Sequence, residues 1–128
     1  MPHLTIEYSS NLDGRTDIGS LCREVLRAAL STNVFEIGAV RVRALRCEHY
    51  AIADDQPENA FVAIRVRMAA GRTLETRRKV GDAVFSAAEA YLASLFETPY
   101  FALSLDIAEI DAELNWKNNA MHARLRGA

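Results

Sequence analysis

The chain has 128 residues, of which half are apolar and a quarter are charged. This length predicts one domain, and this composition excludes disorder as the default state. The 15 Lys and Arg residues against 17 Asp and Glu residues give a net charge of −2, which argues against nucleic acid as a partner. No apolar run approaches the roughly 18 residues of a membrane span, and no secretory leader is visible. We therefore expect a cytoplasmic protein with neither nucleic acid nor membrane as a partner.

The first half of the chain has the pattern of a β-α-β unit. Its first strand alternates apolar and polar residues, with the apolar ones at Leu4, Ile6 and Tyr8. After a turn at 11–14, a helix is expected with Thr16 or Asp17 as its N-cap. The apolar face of this helix consists of Ile18, Leu21, Cys22, Val25, Leu26 and Ala29. A second strand begins at Val40 and Val42 and is expected to run towards Tyr50.

The second half repeats this order after a polar connection that Pro57 keeps irregular. The third strand alternates at Val62, Ile64, Val66 and Met68. A long helix follows, which we expect to end before Pro99 and whose shared face is Val80, Val84, Ala87, Ala88, Tyr91 and Leu95. The fourth strand alternates at Phe101, Leu103, Leu105 and Ile107. The last twenty residues are expected to form a tail with one short strand or turn.

A short repeat supports duplication of the β-α-β unit. Gly14-Arg15-Thr16 precedes the first helix, and Gly71-Arg72-Thr73 precedes the second. Because each crossover has the length of a helix, the two strands of each unit should be parallel. We therefore predict an α+β fold, a duplicated β-α-β arrangement in which a four-stranded sheet carries two helices on one face.

The domain is expected to cover 1–128, with halves at roughly 2–53 and 58–108 and a C-terminal tail at 109–128. Strands two and three keep apolar residues on both sides in places, as at Phe61 and Ala63. A small domain buries a limited share of its surface. We therefore expect the second sheet face to be apolar and to pack against other subunits.

Familiar catalytic motifs are missing from the sequence: it contains no nucleophile elbow, phosphate-binding loop, dinucleotide fingerprint or zinc-binding helix. The three histidines are His3, His49 and His122. Because they do not have the spacing of metal ligands on a helix, we expect no metal site.

Pro2 is the first feature that suggests chemistry. A methionine before proline is usually removed during synthesis, so the mature chain would begin with the secondary amine of Pro2. Burial and nearby cations would lower the pKa of this amine below the usual range of about 7.7–8.0. A neutral amine near pH 7 is a general base. The alternative is that proline is merely common at this position.

Arginines are the second such feature. Arg41 lies in the second strand and Arg72 at a strand-to-helix junction, and arginine can hold a carboxylate through two parallel hydrogen bonds. Arg72 also lies beside a helix N-terminus, which favours anions. The alternative is that both lie on the solvated side of the sheet. We expect that place for three other arginines, namely Arg43, Arg65 and Arg67.

Four segments resemble the 5-carboxymethyl-2-hydroxymuconate isomerase family of the tautomerase superfamily. They are Pro2 to Tyr8, Gly38 to Arg43, Ala70 to Arg77 and Leu114 to Asn119. The superfamily also includes 4-oxalocrotonate tautomerase and macrophage migration inhibitory factor. The resemblance spans nearly the whole chain, and its last two segments are more specific than the proline alone. It is loosest between Asp13 and Ser31, so it gives Arg15 no role.

The resemblance implies a homotrimer of duplicated β-α-β chains that acts without a cofactor. It gives Pro2 the role of the base, and it gives Arg41 and Arg72 the binding of substrate carboxylates. The implied reaction converts a dienol with two or three carboxylates to its conjugated ketone, in the catabolism of aromatic acids. Val42 departs from the small polar residue often found there, which leaves fine substrate preference open.

Two other functions remain open at this stage. One is another reaction of the superfamily, such as decarboxylation or hydration of a small acid. The other is a non-catalytic trimeric binding protein that kept the fold. The roles of Arg15 and Arg43 are open as well.

Overall fold

The computed structural model describes residues 1–127, which form four β-strands and three α-helices. In chain order these are β1 His3–Ser9, α1 Ile18–Ser31, β2 Arg41–Cys47, β3 Ala60–Ala69, α2 Leu74–Tyr91, β4 Phe101–Ile110 and α3 Met121–Leu125. The predicted order of two successive β-α-β units is confirmed. None of the helices in this range is both long and apolar enough to cross a membrane.

The four strands form one mixed sheet in the order β2-β1-β3-β4. β1 is parallel to β2, and β3 is parallel to β4, as the helical crossovers predicted. The central pair, β1 and β3, is antiparallel, and Ile6 lies opposite Ile64. The two β-α-β halves are therefore related by a pseudo-twofold axis that passes near this isoleucine pair.

The two long helices, α1 and α2, pack on one face of the sheet, and their buried residues have the same spacing. α1 buries Leu21, Val25 and Ala29, and α2 buries Val80, Val84 and Ala88. In each helix these residues are four positions apart, so they share one stripe. They pack with alternating strand residues that include Leu4, Ile6, Val62, Ile64, Val66 and Met68. Full burial of one such aliphatic side chain contributes about 1.5–3 kcal/mol.

Side-chain caps determine where the two long helices begin. Asp17, one of the two predicted residues, caps α1 by accepting a hydrogen bond from the Ser20 amide at 3.1 Å. Thr73 caps α2 in the same way, through the Thr76 amide at 3.1 Å. Each cap satisfies an amide that has no partner within its helix.

The second sheet face is largely polar, so the prediction of an apolar face was wrong. A shallow depression on this face includes Thr5, Glu7, Ala63, Arg65, Arg67 and Asp106 in its lining. Phe61 is an exception, and Tyr50 packs edge-on against it with ring centroids 6.5 Å apart. The physical reason is alternation: residues between the buried positions of a strand point to the other face, and here most of them are polar.

The end of the chain contains one of the two predicted forms, a 3-10 turn at Ala112–Leu114. It also contains the short helix α3, which was not predicted. β4 extends to Ile110, and β2 ends at Cys47 rather than near Tyr50. α3 packs against a 3-10 turn at Ile37–Ala39, directly before β2. The tail thus returns to the point where the second strand begins.

Candidate active site

The amino terminus directly precedes β1, whose first residues pair with the start of β2 on one side and with the end of β3 on the other. Pro2 is buried directly before β1, and its carbonyl accepts a hydrogen bond from the Arg41 amide at 3.2 Å. His3 lies opposite Arg41 on one side and opposite Arg67 on the other. Because β1 and β3 are antiparallel, the chain leaving β3 passes close to the terminus, and this chain carries Arg72.

The turn after β3 holds the Arg72 side chain. Gly71 has a φ of +110°, a conformation that favours glycine because other residues would be strained. The Arg72 guanidinium lies 5.1 Å from the centroid of the Phe35 ring, and one of its Nη atoms donates to the Ala69 carbonyl at 3.3 Å. Both contacts restrict where this positive charge can lie.

Arg41 and Arg43 differ in their surroundings although both belong to β2. Arg41 is part-buried, and its Nη1 donates to the Ala39 carbonyl at 2.9 Å. Arg43 is exposed and donates to His3 Nδ1 at 3.2 Å. Within residues 1–127, neither Arg41 nor Arg72 forms a salt bridge. The charges of these two arginines are therefore available to a bound anion.

Burial and positive charge both lower the pKa of the terminal amine, which in this structure is that of Met1, directly before Pro2. Burial has the largest effect, followed by the charges of Lys117, Arg72 and Arg41. The pKa of His3 is lowered as well, first by burial and then by neighbouring arginines. This end of the sheet therefore favours unprotonated bases and negatively charged ligands.

The structure brings Arg41 and Arg72 close to the amino terminus: the Arg41 amide donates to the Pro2 carbonyl, and the charges of both arginines act on the amine of Met1, next to Pro2. It also adds two that sequence reasoning missed. Lys117 lies within a segment that carried the family resemblance, so a signal was present. Phe35 gave no signal, because an apolar residue after a helix is read as part of the core. Arg15 lies elsewhere, on a surface cavity that also includes Tyr100.

The arrangement has the chemistry of proton transfer on an anion. An amine with a lowered pKa can accept a proton near neutral pH, and the surrounding cations can bind carboxylates. In the part of the chain that the structure describes, no group of three or more His, Cys, Asp or Glu side chains could hold a metal ion.

Comparison with solved structures defines the class of protein. The wild-type Q0 fused 4-OT symmetric trimer superposes with a TM-score of 0.63 at 15% identity, covering 98% of this chain and 99% of that one. A 5-carboxymethyl-2-hydroxymuconate isomerase from Deinococcus radiodurans R1 superposes with a TM-score of 0.90 at 37% identity, covering 96% and 92%. The duplicated β-α-β fold is therefore that of the tautomerase superfamily.

Sequence comparison gives the family. The family model for 5-carboxymethyl-2-hydroxymuconate isomerase matches residues 2–125. The 5-carboxymethyl-2-hydroxymuconate Delta-isomerase of Escherichia coli is 32% identical over 123 residues, which cover 96% of this chain and 98% of the relative. The chain belongs to the 5-carboxymethyl-2-hydroxymuconate isomerase family, and it is an isomerase.

Proposed function

We propose that this isomerase converts a 2-hydroxymuconate-type dienol with two or three carboxylates to its conjugated ketone, with 5-carboxymethyl-2-hydroxymuconate as the favoured substrate. The observation that supports this is the terminal amine of Met1, next to Pro2, whose pKa is lowered by burial and by Lys117, Arg72 and Arg41. A base and several cations at one site suit a polyanionic acid. The names of the relatives point to the same substrate.

The proposed base is the secondary amine of Pro2 after removal of Met1. It takes the proton of the enol oxygen, and the electron pair of that bond forms the ketone. The double bonds of the diene shift by one position, and the protonated amine returns the proton to the far carbon of the diene. Substrate and product thus have the same atoms, and no electron leaves the system, so the reaction needs no cofactor.

The proposed roles of Arg41 and Arg72 are to bind the substrate carboxylates and to stabilise charge during the reaction. Negative charge spreads from the enol oxygen into the conjugated system as the proton leaves. Fixed positive groups at its ends lower the energy of that state without reorganising. Phe35 fits this proposal because its ring holds the Arg72 guanidinium in one place.

The proposed assembly is a homotrimer, which we now base on exposed edges and apolar side chains rather than on the sheet face. Within residues 1–127, the outer edges of β2 and β4 have no partner strand, and open edges favour pairing with another chain. Trp116, Leu114 and Leu74 are 83%, 68% and 58% exposed. Light scattering at low micromolar protein should give about three times the chain mass; a stable monomer would contradict the proposal.

Removal of Met1 provides the test of the function. With Met1 attached, the Pro2 nitrogen is an amide whose lone pair is delocalised, so it cannot act as a base. We would prepare two samples whose intact masses differ by one methionine and follow the dienol by its ultraviolet absorbance. The processed chain should turn over the dienol, and the longer chain should be slower by about 100-fold or more.

Two outcomes would contradict the proposal in different ways. Equal turnover by the two samples would show that Pro2 is not the base. No turnover of any dienol by the processed chain would show that the proposed substrate class is wrong. Release of carbon dioxide from a small acid would then point to the decarboxylase alternative.

A further inference from the structure

The C-terminal tail is fastened to the turn that precedes β2. Asn119 Nδ2 donates to the Gly38 carbonyl at 2.7 Å. Arg126 donates to both carboxylate oxygens of Glu36, each at 2.7 Å. We call these two contacts the clasp. One contact is at the residue before the short turn Ile37–Ala39 and the other at its middle residue, so the tail is held at two points.

Gly38 allows the tail to approach the turn closely. Gly38 is buried, and a Cβ atom at this position would lie 3.0 Å from His122 Nδ1 and 3.3 Å from the His122 amide nitrogen. Any larger residue would therefore push α3 away. His122 therefore packs directly on Gly38, which keeps the start of α3 close to this turn.

The clasp places Lys117 beside the candidate active site. Lys117 precedes Asn119 by two residues, a span of at most about 7 Å. Asn119 contacts Gly38, and Arg41, three residues further on, donates to the Pro2 carbonyl. The pKa of the terminal amine agrees with this placement, since Lys117 contributes the largest charge effect on it, ahead of Arg72 and Arg41.

The Lys117 ammonium lies beside the terminal amine and, in the part of the chain that the structure describes, has no acidic partner. Its residue is exposed, and within residues 1–127 it forms no salt bridge. Three unpaired cations around one amine repel each other and attract anions. Two cations are enough to bind the two carboxylates of a dicarboxylate. A substrate with two carboxylates therefore leaves the third cation without a role.

We propose that Lys117 binds the third carboxylate of a tricarboxylate dienol, and that the clasp is the positioning element that holds Lys117 there. This inference rests on the proposed function. It assigns to the tail the preference for the substrate with three carboxylates, while Arg41 and Arg72 serve both substrate types.

Two substrates and one matched lysine test the assignment. Lys79 is the other lysine of the chain and is exposed on α2, so Lys79→Gln is the control for Lys117→Gln. With 5-carboxymethyl-2-hydroxymuconate, Lys117→Gln should raise KM by about tenfold or more, the scale of one lost charge-assisted contact. KM for 2-hydroxymuconate, which has two carboxylates, should rise much less. Any change in kcat that comes from the effect of this charge on the terminal amine should be the same for both substrates. Lys79→Gln should change neither.

The role of the clasp in positioning Lys117 is tested by comparing KM in single and double variants. Arg126→Ala should raise KM for the tricarboxylate, and Arg124→Ala, two residues earlier in α3, should not. In the double variant Lys117→Gln/Arg126→Ala, KM should equal that of Lys117→Gln alone, because the clasp then has no charge to position. Additive effects would overturn the role of the clasp.

The other outcomes are equally decisive. An unchanged KM for the tricarboxylate in Lys117→Gln, or an equal rise for both substrates, would overturn the role of Lys117. Turnover of neither dienol by the unaltered, processed enzyme would instead overturn the proposed function, so the two failures can be told apart.

Discussion

The two ends of the sheet are related by the pseudo-twofold axis, but they differ in chemistry. At one end Pro2 precedes β1, and Arg41 lies opposite His3. The axis near Ile6 and Ile64 makes Phe61 the equivalent of His3, and Ala102 lies opposite Phe61. Alanine thus stands at the position that corresponds to Arg41. Duplication repeated the framework of the fold without repeating this charge.

The repeated triplet differs between the ends in the same way. Arg72 is part-buried against Phe35 beside the terminal amine. Its counterpart Arg15 is exposed, on a cavity whose lining includes Glu58 and Tyr100. A carboxylate at that cavity makes it less suitable for an anion. Identical triplets therefore have different surroundings.

The second end is filled by continuous chain. The buried Asn59 donates to the Ile52 carbonyl at 2.9 Å and to Asp54 at 2.8 Å, and its own carbonyl accepts from Asn11 at 2.7 Å. These bonds stabilise the connection between β2 and β3. A chain has one amino terminus, so a duplicated fold can place a free amine at one end only. This comparison predicts one active site per chain.

The largest effect should come from removing the proposed base. Pro2→Ala, with the mature terminus confirmed by mass, leaves a primary amine of different basicity and freedom. We expect kcat to fall by about 100-fold or more. Pro57→Ala changes a proline at the second end and should leave kcat unaltered. A kcat of Pro2→Ala equal to that of the unaltered enzyme would remove the main distinction between the two ends.

The next effect should come from the two matched arginines. Arg72→Ala should lower kcat/KM for the dienol by about 10- to 150-fold, because it loses a charge-assisted contact worth about 1.5–3 kcal/mol. Arg15→Ala should change it little. Arg41→Ala and Arg43→Ala form a second pair, in which the first should be the more harmful. If the two variants of either pair lost similar amounts of kcat/KM, the two arginines of that pair would have the same role in catalysis.

The pH dependence of kcat/KM should change when the charge of Arg72 is removed. Activity should fall on the acid side as the Pro2 amine gains its proton. The cations that lower the pKa of the neighbouring Met1 amine should lower the pKa of the Pro2 amine in the same way. Arg72→Ala removes one of them, which favours the protonated amine. The acid limb of kcat/KM should therefore move to higher pH, whereas Arg15→Ala should leave it in place. A limb that stays or moves to lower pH in Arg72→Ala would contradict this.

The smallest effect should come from the aromatic ring beneath Arg72. Phe35→Leu keeps an apolar side chain but removes the cation–π contact, worth about 0.5–1 kcal/mol. KM should rise by about two- to fivefold, with kcat nearly unchanged. Phe96→Leu is the control, because Phe96 packs on Phe101 with ring centroids 4.9 Å apart and lies away from Arg72. Equal effects of the two changes on KM would indicate a general loss of packing.

Local patterns account for what the sequence predicted correctly. The alternation of Leu4 and Ile6, and the four-residue spacing of Val80 and Val84, depend only on near neighbours along the chain. Strand and helix order, the common helical face and the parallel pairs follow from such patterns and from crossover length. The polar character of the second face is also present in the sequence, at Arg65 and Arg67, but the apolar Phe61 and Ala63 in the same strand obscure it.

The sequence by itself determined the elements, the duplicated plan and the residue types that suit proton transfer on an anion, because periodicity and side-chain chemistry are local properties. The tertiary structure decided which of them meet. Arg72 is seventy residues from Pro2, and only the antiparallel pairing of β1 with β3 brings the two together. Lys117 reaches the same place through a tail whose hydrogen bonds to Glu36 and Gly38 span eighty residues or more of sequence. Such contacts depend on strand order and docking, which no local pattern encodes.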